Sequence, residues 1–173
     1  MSATYSPEQQ FNDPYCPPTS VALGYVGIAC ALSFTSLGSA YGTFKSAIGL
    51  FKVCSEHPEL FYRSMMPVIM AGIVGIYGLV AAIISSTNIH YPFSQFKSYA
   101  IFSGGLCVGL AGLASGCAIG IAGDVSCRAM SSHPELFMGA MLILIFGEVL
   151  GLYGFIISMI LSGKSVLACG ARP

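Results

Sequence analysis

Four long stretches of this chain carry no charged residue, or only one: Asp13 to Lys45, Arg63 to Lys97, Lys97 to Asp124, and Glu135 to Lys164, the last broken by Glu148 alone. A crossing of the hydrocarbon core takes about 20 apolar residues, so each stretch is long enough to span it. Backbone groups in lipid find no outside partner, which leaves only helices or a closed barrel. The windows show no period-two alternation, so a barrel is excluded and an all-α membrane protein of four transmembrane helices is expected. Their predicted positions are 21–51, 59–86, 96–127 and 135–162, the first and third running past the bilayer.

Charged residues make up 8% of the sequence, against about 25% in soluble domains. Lys plus Arg and Asp plus Glu number seven each, so no basic field invites nucleic acid and none is expected as a partner. Cysteines 16, 30, 54, 107, 117, 127 and 169 are odd in number and scattered. They read as small packing residues, because a disulfide framework or a metal site needs convergent spacing. No metal or cofactor is expected. Residues 1–20 hold Pro14, Pro17 and Pro18 among polar residues and lack the pattern of a cleaved signal, so they read as a loose tail. The predicted organisation is that tail, a first helical hairpin over 21–86, a short polar link over 87–95, a second hairpin over 96–162 and a C-terminal tail over 163–173. Basic residues lean towards cytoplasmic loops after helices one and three, with both termini on the other, lumenal side.

The two hairpins are copies of each other. SEHPELFYRSMMPVIMAGIVGIYGLV returns as SSHPELFMGAMLILIFGEVLGLYGFI, displaced by 76 residues, so that His57, Pro58 and Glu59 match His133, Pro134 and Glu135, and Gly75, Tyr77 and Gly78 match Gly151, Tyr153 and Gly154. Leu37 and Ser39 match Leu113 and Ser115. Each repeat holds an even number of helices, so the halves lie in the same orientation: two tandem parallel hairpins rather than the inverted repeat of many carriers. The informative mismatch is Glu148, which falls opposite Gly72.

Glu148 lies near the middle of its span. An ionised acid there costs about 3 kcal/mol, and no Lys or Arg sits at that depth to offset it. The neutral acid is therefore the expected resting form, and Glu148 is the candidate proton-binding residue. Tyr77, Tyr153, Gly72 and Gly147 are the candidates to support it, Tyr77 or Tyr153 through a hydroxyl. The plainer reading is an acid that fixes helix register through such a hydroxyl.

Small residues form a second constellation. Gly105, Gly109, Gly112, Gly116, Gly120 and Gly123 step by four and three along the third helix, as Gly27, Ala31, Thr35, Gly38, Gly42, Ser46 and Gly49 do along the first. Such faces let helix backbones approach closely in lipid. They fit packing inside one bundle and the inner circle of a multi-subunit ring equally well.

Other motifs lose their chemistry on inspection. Gly163-Lys164-Ser165 has Ser158 where a phosphate-binding loop needs glycine, and no strand precedes it. The His-Pro-Glu triplets read as helix starts, with proline at N1 and an acid near the positive end of the helix dipole. His90 falls in the link, and Asp124 with Arg128, spaced i,i+4, reads as a solvated pair.

Through the segments ILIFGEVLGLYG, AGIVGIYGLV, GSAYGTFKSAIG and ASGCAIGIAGD, the chain resembles the proteolipid c subunits of V-type proton ATPases from Val21 to Ser162. Gly147 stands where that family commonly has alanine. The resemblance implies a non-catalytic subunit of the membrane sector, assembled in a ring with copies of itself or related proteolipids, with Glu148 as proton carrier. It further implies a static membrane subunit that bears an arginine, central-stalk subunits at the cytoplasmic loops, ATP hydrolysis elsewhere, and a vacuolar or other acidic endomembrane. Two rivals stand beside it. A proton-coupled carrier would need polar, broken helices at midplane, and a purely structural protein would leave Glu148 without a task.

Overall fold

In the computed structural model, residues 19–89 and 93–163 are described. The expected tails before Thr19 and after Gly163, and His90 in the link, lie outside them. Four helical spans follow in order: α1 (Thr19–Glu56), α2 (Pro58–Thr87), α3 (Gln95–Ser132) and α4 (Pro134–Gly163). Each is long and apolar enough to cross a membrane. At 1.5 Å per residue, the 38 residues of α1 or α3 measure about 57 Å, well beyond a core of about 30 Å, so both helices project into the aqueous phase.

The hairpin turns repeat as faithfully as the sequence. α1 passes to α2 through His57 alone (φ −136°, ψ 83°), and α3 passes to α4 through His133 alone (φ −137°, ψ 86°). Each histidine N–H still bonds back into the helix it ends, to Val53 O at 2.8 Å and Ala129 O at 3.0 Å. Each proline then opens a 3-10 turn, Pro58–Leu60 or Pro134–Leu136, where a missing N–H costs nothing. The two outer helices differ at one point. α2 is interrupted at Met65, before Met66–Thr87, because Pro67 supplies no N–H to the turn before it. The matching residue in α4 is Ile143, and there the helix runs unbroken over Phe137–Gly163. Ser94 caps α3, its hydroxyl accepting from Lys97 N.

The small-residue faces of α1 and α3 meet each other inside the chain. A Cβ on Gly38 would stand 2.7 Å from Gly112 O, and one on Gly42 2.7 Å from Gly116 O. Cβ atoms on Gly105 and Gly116 would run into the carbonyls of Gly27 and Gly38. Backbone therefore rests directly on backbone, an approach that any side chain would prevent. The face Gly27, Ala31, Thr35, Gly38, Gly42, Ser46 and Gly49 is buried throughout, and so are all six glycines named on α3. Within the chain, these faces bury each other between the two hairpins, an arrangement that both readings of them share.

Each outer helix lies on its own hairpin partner with repeated contacts. Gly75 faces Ser39, its Cβ position 3.2 Å from Oγ, and Gly151 faces Ser115 at 3.1 Å. One turn on, Gly78 faces Thr35 and Gly154 faces Ala111. Between the hairpins, Ala71, Val74, Ile119 and Leu144 form a buried cluster that Met70 and Ala122 complete. Large apolar side chains such as Leu37, Phe44, Phe146 and Leu150 point outward at 57–66% exposure, which suits contact with lipid or other helices.

Candidate functional site

Glu148 stands fourteen residues after the start of α4 and fifteen before its end. Its side chain is half-buried and turns towards α2, where the Tyr77 hydroxyl donates to Oε1 at 2.9 Å. The second oxygen, Oε2, is buried and has no hydrogen-bond partner among the described residues. A carboxyl so placed holds one accepted hydrogen bond and one buried oxygen without a partner among the described residues.

The ring of Tyr77 is held in place by α4 itself. Its edge lies 3.7 Å from the Cβ position of Gly151, and Phe155 packs beside it with ring centroids 5.8 Å apart and an interplanar angle of 31°. Glu148, Gly151 and Phe155 are spaced i, i+3 and i+7, so they share one face of α4. Side chains on a helix lean towards its N-terminus, which lets the phenol reach back along α4 to the carboxyl from its own level further along the parallel helix.

Gly147 anchors the acid's backbone from the other side. Its carbonyl accepts from Ser115 Oγ at 2.7 Å, and its Cβ position lies 3.1 Å from Ile119 Cγ1, so an alanine there would press on α3. Ser115 thus ties α3 to α4 at the level of the carboxyl while packing on Gly151. The sequence offered Ser115 and Gly151 only as repeat matches. Neither looks chemical alone, because their role arises from helix contact.

Two other candidates sit elsewhere. Tyr153 is 58% exposed and makes no hydrogen bond among the described residues. Five residues rotate a helix by about 140°, which carries Tyr153 off the face that bears Glu148. Gly72 is separated from Tyr77 by the same five residues, and nothing lies within 4 Å of its Cβ position. Neither therefore supports Glu148 within the chain, and of the two tyrosines Tyr77 provides the hydroxyl.

The Asp124–Arg128 pair forms, with Arg128 Nε 2.9 Å from Asp124 Oδ1 and an Nη donor 3.2 Å from Oδ2. It is not a solvated pair as expected: Asp124 is only 8% exposed. Gly49 causes the difference, since with no side chain it lets α1 close over the carboxylate, Oδ1 lying 2.9 Å from the missing Cβ. Among the described residues no three His, Cys, Asp or Glu side chains gather as a metal site. Cys30, Cys54, Cys107, Cys117 and Cys127 are free thiols.

Two repeated parallel hairpins, faced with glycine and carrying one mid-span carboxyl, define a membrane proteolipid built by duplication. The family model for the ATP synthase C subunit matches residues 26–85 and 102–161, once per hairpin. The chain is 46% identical over 148 residues to the 16 kDa proteolipid c subunit of the V-type proton ATPase of Rattus norvegicus, covering 86% of this chain and 96% of that protein. It is 48% identical over 139 residues to the protein of the same name from Homo sapiens, covering 80% and 90%. With the protein of that name from Ascaris suum it shares 50% over 141 residues, covering 80% and 88%. The chain belongs to the family of V-type proton ATPase proteolipid c subunits, and it is a multi-pass integral membrane protein.

Proposed function

We propose that this chain is a proton-carrying subunit of the rotor ring in the membrane sector of a vacuolar-type ATPase. Glu148 takes up a proton, crosses the bilayer neutral as the ring turns, and releases it on the other side to acidify an organelle lumen. The observation that carries this reading is the carboxyl itself: mid-span, half-buried, with Tyr77 donating to Oε1 and the buried Oε2 without a partner among the described residues. The Tyr77 hydroxyl occupies one oxygen and leaves the other, buried and unpartnered, to carry the proton. A carboxyl meant only to fix helix register would be expected to have both oxygens satisfied, since a buried unpaired polar atom costs about 1–3 kcal/mol.

The direction of transport follows from charge. A bare carboxylate in lipid is costly, so an ionised Glu148 is confined to the sector where an arginine of a static partner subunit stabilises it. The loaded, neutral form is free to leave. The HPEL turns at Pro58–Leu60 and Pro134–Leu136 project on one side with the ends of α1 and α3, and are the docking surface for central-stalk subunits on the cytoplasmic side. The termini then lie in the lumen of a vacuole or similar acidic compartment. ATP hydrolysis belongs to other subunits, and this chain supplies no catalytic group.

Carbodiimide labelling of native membranes across pH, with the modified residue mapped by mass and ATP-driven acidification followed in parallel, tests the reading. Selective modification of Glu148 that stops acidification is the expected result. Acidification that survives modification of Glu148, or survives Glu148→Gln, sinks it.

A further inference from the structure

Ser115 on α3 is buried, and the carbonyl that accepts from its hydroxyl belongs to the peptide unit joining Gly147 to Glu148. A carbonyl oxygen has two lone pairs, so it can take this bond beside the one it accepts within α4. Gly151 makes the room. Its Cβ position lies 3.1 Å from the Ser115 hydroxyl and 3.7 Å from the edge of the Tyr77 ring. A single glycine of α4 therefore carries the serine of α3 and the tyrosine of α2 together, three residues after the acid.

The repeat supplies an internal comparison. Displaced by 76 residues, Ser115 becomes Ser39, Gly151 becomes Gly75, Gly147 becomes Ala71 and Glu148 becomes Gly72. The packing survives the displacement, since Ser39 Oγ lies 3.2 Å from the Cβ position of Gly75. The bond does not: Ser39 makes no hydrogen bond among the described residues. Of two equivalent serines, only the one beside the acid holds a carbonyl.

Around Glu148 the buried face of α4 consists of Leu144, Gly147, Gly151 and Gly154. Glycines let two helices approach closely, but they offer no side chains to interlock, so they leave the rotation of α4 on α3 weakly fixed. Phe146 and Leu150 point outward and do not lock it within the chain. A hydrogen bond supplies what the smooth contact lacks, because it is directional and weakens steeply as its angle departs from linear. We propose that Ser115 is a positioning residue for the proton carrier: by holding the Gly147–Glu148 peptide it sets the rotation of α4 that keeps the carboxyl on the Tyr77 hydroxyl. The inference rests on Glu148 carrying the proton, as in the proposed function, and adds a residue of the third helix that governs how the acid is held.

A hydrogen bond donated to a carboxylate favours the charged form. Tyr77 is the titratable side chain bonded to the carboxyl among the described residues. On α3 the side chains that meet α4 at this level, Ser115 and Ile119, carry no charge. Loss of the Ser115 hydroxyl frees α4 to turn and loosens the Tyr77 bond, so Glu148 keeps its proton to higher pH.

The test is carbodiimide labelling of Glu148 across pH, mapped by mass spectrometry, in native membranes that carry the full chain with Ser115→Ala, Ser39→Ala or Tyr77→Phe. Labelling that persists about half a pH unit higher with Ser115→Ala is the expected result, a little under the value of one net hydrogen bond. Ser39→Ala removes the same hydroxyl from the equivalent place and should leave the profile unmoved. Added to Tyr77→Phe, Ser115→Ala should shift it no further, because its effect runs through that bond. Ser115→Gly removes the hydroxyl in a second way and should reproduce the shift. A profile unmoved by both Ser115 variants, an equal shift with Ser39→Ala, or a full further shift on Tyr77→Phe overturns the inference. The rotor reading survives each of these and fails separately, if Glu148→Gln still acidifies.

Discussion

The hydroxyl of Tyr77, on the second helix of the first hairpin, donates across the hairpin boundary to Glu148 on the second, over 2.9 Å. The two residues come from duplicated sequences, and the repeat keeps the tyrosine as Tyr153, which faces outward, while Gly72 stands opposite the acid. With one carboxyl for two hairpins, the chain holds one such tyrosine–acid pair among the described residues.

Removing the hydroxyl with Tyr77→Phe keeps the ring that packs on Gly151 and Phe155. It should leave assembly intact. A hydrogen bond of about 1 kcal/mol corresponds to a change of about fivefold, so ATP-driven acidification in vesicles should slow by about that factor, with carbodiimide still attaching to Glu148.

Glu148→Gln retains size and hydrogen-bonding capacity but cannot ionise, and acidification should fall to background while the protein still assembles. Glu148→Asp keeps the acid but shortens its reach by one methylene, withdrawing it from Tyr77. Contacting residues do not act additively. The double variant Glu148→Asp with Tyr77→Phe should therefore be no slower than Glu148→Asp alone, and a further drop of similar size would show that the two residues act independently.

Gly116→Ala places a methyl against the Gly38 carbonyl, and α1 and α3 can only separate to admit it. Overpacking of this kind costs about 1–3 kcal/mol. Gly139→Ala, where nothing lies within 4 Å, should be neutral or stabilising by up to about 1 kcal/mol. Thermal denaturation of the detergent-solubilised protein compares the two, and equal midpoints would count against backbone contact as the basis of the α1–α3 packing.

Arg128→Ala strands a carboxylate that Gly49 has allowed to become buried. The guanidinium is half exposed, so the ion pair alone contributes under about 1 kcal/mol. Leaving Asp124 unpaired should raise the loss to about 1–3 kcal/mol. Adding Asp124→Asn to Arg128→Ala should restore part of the lost thermal stability. No recovery would mean that Arg128 acts through its packing.

The four spans, their hairpin pairing and the isolated acid were legible in the sequence because they follow from rules that act along the chain: charge is excluded from lipid, a repeat copies its fold, and a lone carboxyl at mid-span stands out. The His-Pro-Glu turns were readable for the same reason, since proline at the first helical position is a local choice. What the sequence left open was which faces meet. Both glycine stripes could have met any helix, and only the absence of room for a Cβ at Gly38, Gly42, Gly105 and Gly116 shows that they meet each other within the chain. Tyr77 and Tyr153 are equivalent in sequence, and only the placement of α2 beside α4 gave Tyr77 the carboxyl and turned Tyr153 away. Burial of Asp124 likewise depends on a glycine 75 positions earlier in the chain. Periodicity records which residues share a helix face, whereas the rotation of one helix against another is fixed by packing among residues far apart in sequence.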